Sequence, residues 1–105
     1  MEKSKEVIKI KTTEAGNSYD VNKNVIEYNP NKVNIYSGKE TWHNRPPEIG
    51  LGHEAIHSYH DIENNLGPTR DIEESKTVGL GNYEKEPYTE NKIRKEYGIE
   101  RRPQY

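Results

Sequence analysis

The dipeptide Pro46-Pro47 divides this chain of 105 residues into two stretches with different patterning. Proline is tolerated in the first turn of a helix but not in its interior, so a helix can begin at this point and cannot run through it. Before the prolines the apolar residues come in short alternating or clustered sets. Glu6 to Thr13 sets Ile8 and Ile10 against lysines, Glu14 to Asp20 carries a turn signal, and Asn24 to Tyr28 and Lys32 to Tyr36 are β-prone. Asn29-Pro30-Asn31 predicts a hairpin turn between the last two, and so a small antiparallel sheet in residues 1–45. Beyond the polar loop from Ser37 to Pro47, helical spacing takes over. Ile49, Ile56 and Tyr59 lie on one stripe of a helix from about Glu48 to Asn64, ended by Gly67-Pro68. Thr69 can cap a second helix, Asp71 to Val78, and Thr89 a third, Glu90 to Tyr97. Tyr83 to Tyr88 reads as polar loop. Strands followed by helices mean α+β, read as one domain with a β-rich part over 1–45 and a helical part over 46–105.

The first of these helices carries His53-Glu54-Ala55-Ile56-His57. Residues at i and i+4 share a helix face, so both imidazoles can point at one metal ion. Glu54, beside the first of them, can serve as general base toward a water at that metal, as in metal-dependent peptide hydrolysis. Catalytic zinc usually takes three protein ligands and keeps one position open. His60 is a poor third ligand, because three donors on one straight helix do not converge well. A carboxylate on the second helix is better placed: Asp71, Glu73 or Glu74. His60 then reads as a residue behind the ligands or on the surface, and His43, in the loop before the helix, as exposed. Gly50 and Gly52 each weaken the helix by roughly 1 kcal/mol relative to Ala, which suggests a close approach of another backbone there.

Composition limits the alternatives. Hydrophobic residues make up 29% of the chain and charged ones 32%, with no Phe. A core that small gains from a bound metal, because a ligand of the folded state stabilises it. A net charge of −2 argues against general nucleic-acid binding. Zero cysteines exclude disulfides, cysteine–zinc sites and thiol catalysis. No apolar run approaches the roughly 20 residues of a membrane span, and Met1 to Lys11 lacks a signal-peptide pattern. A monomer with no membrane or nucleic-acid partner is expected.

Three ordered segments carry a resemblance: Leu51 to His57, Glu73 to Gly79, and Thr89 to Arg94. Together they resemble the NleD-type effector zinc metalloproteases that bacteria deliver into host cells, and the C-terminal toxin domains of Rhs-type proteins. The match covers roughly residues 46–105. More distantly, the chain is similar to clostridial neurotoxin light chains, which pair His-Glu-x-x-His with a downstream Glu-Glu segment ending in Thr-x-Gly. Aligned on Thr-x-Gly, the zinc-binding glutamate of that pattern falls on Glu74, leaving Glu73 beside the ligands or on the helix face. The resemblance thus implies a gluzincin (zincin-like) domain with Zn2+ on His53, His57 and Glu74. It also implies an Arg-x-x-Tyr pair that stabilises the transition state. Arg94 and Tyr97 have that spacing, with Tyr105 a rival for the phenol; a salt bridge from Arg94 to Glu90 is the plain alternative.

By the same resemblance, the chain would be secreted by a bacterial system and act in the cytoplasm of a target cell on a specific protein. An extended substrate could pair with a sheet edge, for which Val33 to Tyr36 is the candidate. An Rhs-type interbacterial toxin would instead require a cognate immunity protein. Two non-protease readings stand beside these: a metal-stabilised binding module with a degenerate site, and a hydrolase of small molecules or cell-wall peptides.

Overall fold

The computed structural model describes residues 7–105. Strands β1 (Lys9–Thr12), β2 (Ser18–Asp20) and β3 (Val25–Tyr28) precede helices α1 (Pro47–Ile62), α2 (Arg70–Val78) and α3 (Glu90–Glu96). Single 3-10 turns occupy Thr41–His43 and Gly81–Lys85, the second in the segment expected to be loop. The architecture is α+β, with strands first and helices after.

The sheet differs from the expected antiparallel one. Its order is β1-β3-β2, with β1 parallel and β2 antiparallel to β3. The hairpin turn lies between β2 and β3, at residues 21–24, rather than at Asn29 to Asn31. Asp20 Oδ1 accepts from the backbone N–H groups of Asn22 and Lys23 at 2.8 and 3.1 Å, and Asn24 adopts φ 56°. Short polar side chains of this kind stabilise a tight turn and tolerate a left-handed residue. Asn29 still turns the chain, accepting from Asn31 N–H at 2.9 Å, but this turn leads out of the sheet. Lys32 to Tyr36 is therefore not a strand. Tyr36 sits at φ 53°, and among the described residues the segment forms one bridge, Asn34 with Asn44. Two backbone bonds flank that bridge, Ile35 N–H to the His43 carbonyl and Arg45 N–H to the Val33 carbonyl, each 2.8 Å.

The helices begin and end where their caps dictate. Pro47 opens α1, and the Thr69 and Thr89 hydroxyls accept from Ile72 N–H and Lys92 N–H at 3.2 and 3.1 Å. Helix α1 runs through the middle of the molecule and packs on β2, β3, α2 and α3. Its inward side contributes Ile49 and Ile56 to an apolar core with Ile26, Ile35, Trp42 and Val78. The core is small, and charged groups are buried beside it, Glu90 and Arg94 completely. Gly50 and Gly52 are approached by side chains and not by a second backbone. A Cβ at Gly50 would meet the Asn17 amide at 2.5 Å, and one at Gly52 the Ile93 methyl at 2.8 Å.

Candidate metal centre

One turn of α1 separates His53 from His57, and α2 crosses their shared face. The crossing brings Glu74 Oε1 to 3.0 Å from His53 Nε2 and 2.7 Å from His57 Nε2; the two Nε2 atoms lie 3.1 Å apart. The outer ring nitrogens are each held by a carboxylate. His53 Nδ1 lies 2.7 Å from Glu90 Oε1, and His57 Nδ1 lies 2.6 Å from Glu73 Oε2. A carboxylate accepts, so each Nδ1 donates and each Nε2 keeps its lone pair in the neutral ring. Three electron-pair donors then converge on one point, an arrangement that a cation satisfies. Donor atoms around a tetrahedral zinc stand roughly 3.3 Å apart, close to the spacing here. The residues therefore fit a zinc-type ion.

The carboxylates behind the histidines are themselves anchored. Glu73 Oε1 accepts from Gly67 N–H at 2.8 Å, while its Oε2 also meets His60 Nδ1 at 2.8 Å and the Thr77 hydroxyl at 3.1 Å. His60 is thus buried behind the donor set, and His57, His60 and Glu73 form a second group of metal-capable atoms. Both histidines of that group meet the same Glu73 oxygen through Nδ1, His57 at 2.6 Å and His60 at 2.8 Å. Glu90 binds more broadly. Its Oε1 also accepts from Arg102 Nη1 at 2.9 Å and Arg45 Nη1 at 3.3 Å, and its Oε2 from Arg94 Nε at 2.7 Å.

The electrostatics follow from these contacts. Burial works against the charged form of His57, yet the bonds to Glu73 and Glu74 outweigh it and raise its pKa to about 9. His53 is raised in the same way, with Glu74 and Glu90 overriding burial. Burial pushes Glu73, Glu74 and Glu90 upward, but the facing histidines dominate and hold all three below the usual carboxylate range. Glu54 moves oppositely: burial raises it, and the neighbouring imidazoles only partly compensate. A carboxylate made more basic in this way is suited to accepting a proton.

Glu54 and Glu74 line two adjoining cavities. One, of about 290 Å³, runs toward Val21 and Leu66; the other, of about 530 Å³, is bounded by His53, Arg102, Tyr36 and Tyr105. Tyr105, at the mouth of the larger cavity, donates its hydroxyl to Asp71. The other two residues expected at the transition state lie elsewhere. Arg94 is wholly buried, with Nη1 on the carbonyls of Trp42 and Glu100 at 3.1 and 2.9 Å and Nε on Glu90. Its guanidinium closes the interior and lines neither cavity, so the salt bridge to Glu90 describes it. Tyr97 ends α3 and is about half exposed, away from both cavities. His43, expected to be exposed, is buried edge-on against Trp42, with ring centroids 4.4 Å apart.

Sequence reasoning missed the places of Arg45 and Arg102 at the site, and named Glu90 only as a salt-bridge partner of Arg94. For Arg102 a signal existed, because Arg102-Pro103-Gln104-Tyr105 repeats the Arg-x-x-Tyr spacing read at Arg94 and Tyr97. For Glu90 the signals were its i−4 spacing from Arg94 and its place after the Thr89 cap, neither of which points to His53.

A comparison with known families matches residues 2–105, nearly the whole chain, to the peptidase M91 effector proteins. The chain belongs to that family. The NleD-type resemblance is thereby extended from residues 46–105 to the N-terminal strands. Membership supports a protease of the bacterial effector type, with protein as its substrate. No curated protein and no solved structure matches the chain. Among the described residues, no helix is long and apolar enough to cross a membrane.

Proposed function

We propose that this M91 peptidase is a zinc-dependent endopeptidase of gluzincin type, with the ion held by His53, His57 and Glu74. The observation that carries the reading is the convergence of their three donor atoms within 3.1 Å of one another while each outer imidazole nitrogen is held by its own carboxylate. A zinc ion supplies Lewis acidity there, polarising the scissile carbonyl and acidifying water. The remaining chemistry belongs to the chain. Glu54, buried and more basic than an ordinary glutamate, takes the proton of the attacking water and delivers it to the departing amine. Arg102 and Tyr105, at the wall and mouth of the larger cavity, donate to the oxyanion that develops on the carbonyl. They replace Arg94 and Tyr97 as the Arg-x-x-Tyr pair. In this reading Tyr105 exchanges its bond to Asp71 for one to the substrate. Glu90 and Glu73 hold His53 and His57 in the tautomer that leaves Nε2 free to bind.

As an effector, the protein would be secreted by a bacterial system and cut a specific protein in the cytoplasm of the cell it enters; an interbacterial role would add an immunity protein. The expected extended docking edge at Val33 to Tyr36 is replaced in this reading by the rim of the two cavities, because that segment forms no strand.

Replacing Glu54 with Gln tests the proposal. Zinc content should stay near one ion per chain, while cleavage of proteins in a cell lysate should fall by about 10²- to 10⁴-fold. Unchanged cleavage would remove Glu54 from the reaction, and a folded wild-type chain that takes up no zinc would overturn the metal site.

A further inference from the structure

We propose that the larger cavity selects an acidic residue of the substrate next to the scissile bond, using Arg70 and Lys32 as its counter-charges. This rests on the peptidase reading above and adds a substrate class to it. Four cationic side chains line the cavity, Lys32, Arg45, Arg70 and Arg102, against two carboxylates, Glu54 and Glu74. The excess is unexpected on a chain of net charge −2. Arg45 and Arg102 are already charge-balanced, since each donates through Nη1 to the buried carboxylate of Glu90. Arg70 and Lys32 are not: neither side chain has an ion pair or hydrogen bond among the described residues.

The absence of a partner for Arg70 is informative because two candidates stand on its own helix. Glu73 and Glu74, at i+3 and i+4, would ordinarily pair with it. Glu73 is instead turned to His57, His60 and Gly67 N–H, and Glu74 to His53 and His57. Arg70 is also the first residue of α2, where a positive charge opposes the helix dipole. Neither the helix nor an internal ion pair accounts for an arginine here. It is exposed, and it lines both cavities together with Glu54 and Glu74, so it stands beside the position a scissile bond would take. Lys32 lines the larger cavity only. An aspartate or glutamate flanking the scissile bond would meet these two cations, whereas a lysine or arginine would be repelled.

The test has a cleavage arm and a binding arm. In the first, the zinc-loaded chain and its Arg70→Glu and Lys32→Glu variants digest a proteome-derived peptide library, and mass spectrometry reads the residues flanking each cut. Wild type should favour Asp or Glu at one flanking position by about three- to tenfold, and Arg70→Glu should abolish or invert the preference. In the second, immobilised Glu54→Gln protein, with and without Arg70→Glu, captures peptides from the same library. Acidic peptides should be enriched only where Arg70 is present. Cleavage with no acidic preference, or with a preference that Arg70→Glu leaves unchanged, would overturn the inference and leave the peptidase standing. Acidic enrichment that depends on Arg70 without any cleavage would support the binding site while the peptidase reading fails. No enrichment on folded Glu54→Gln protein would overturn the inference whatever the wild type cuts.

Discussion

His57 is the residue at which proton, carboxylate and the proposed metal would compete most directly. In the metal-free protein its pKa rises on folding from 6.5 to about 9, since the bonds to Glu73 and Glu74 exceed the effect of burial. A value raised on folding means the folded state binds the proton more tightly. The resulting stabilisation is complete below pH 6.5 and is lost as pH rises through about 9. Glu73 and Glu74 are depressed from 4.5, so their contribution is complete above that value and is lost as pH falls below it. The metal-free chain should therefore be most stable between pH 4.5 and 6.5, and lose on the order of 2–3 kcal/mol between 6.5 and 9. Under the proposed metal reading zinc would displace the same proton, so its apparent affinity should climb over the interval in which the metal-free protein weakens. Thermal unfolding across a pH series, with chelator and with zinc, checks both slopes. A chelated protein equally stable at pH 6.5 and 9 would mean that the pairing of His57 with the two glutamates is absent in solution.

At the scale of elements, the junction of α2 with α3 sets the position of Glu90, and Gly79 sits at its centre. Gly79 ends α2 at φ 92°, and a Cβ there would lie 2.8 Å from the Thr89 side chain, whose hydroxyl caps α3. Gly79→Ala combines the left-handed penalty with displacement of that cap, and should destabilise the fold by about 2–3 kcal/mol. Gly81→Ala is the control: φ is 55° but the space is open, so only the backbone penalty of about 1 kcal/mol applies. Urea unfolding of the two variants separates the contributions, and equal losses would show that Thr89 yields without cost. These helices were legible in the sequence because their signals are local: prolines at the start of α1, threonine caps on α2 and α3, and glycine after α2. The sheet was less legible. Both Asn29 and Asp20 carry turn chemistry, and which one closes a hairpin depends on where β3 finds partners across the chain. Lys32 to Tyr36 looked like a strand from its Val and Ile, yet Val33 and Tyr36 are exposed and only Ile35 is buried. The same division holds at the metal centre. The paired imidazoles of α1 follow from helix periodicity and Arg102 from its spacing to Tyr105, whereas Glu90 reaches His53 through a contact that no spacing rule encodes.

Across the whole molecule, the unusual feature is a charged interior in place of a large apolar one. Glu90, the first residue of α3, joins that helix to the loop before α1 through Arg45, to α1 through His53 and to the C-terminal segment through Arg102, and pairs with Arg94 one turn along. Arg94 extends the network to the carbonyls of Trp42 and Glu100. Its Nη2 is buried without a partner among the described residues, a cost accepted where the rest of the guanidinium binds three groups. Removing one member of a buried, paired set leaves charge and carbonyls stranded, typically at 3–5 kcal/mol. That is a large fraction of the stability of a small domain. Arg94→Ala should therefore lower the urea midpoint severely or prevent folding, and any loss of cleavage should track the loss of folded protein. Tyr105→Phe is the counterpart at the cavity mouth. It should leave the unfolding free energy within about 0.5 kcal/mol of wild type, with the midpoint nearly unmoved, and reduce kcat with little change in KM. Comparing the two variants for midpoint and for kcat decides between the two Arg-x-x-Tyr pairs. An Arg94→Ala protein of normal stability but without activity would return the oxyanion role to Arg94. An unstable Arg94→Ala beside a stable, slow Tyr105→Phe would fix that role on the C-terminal pair.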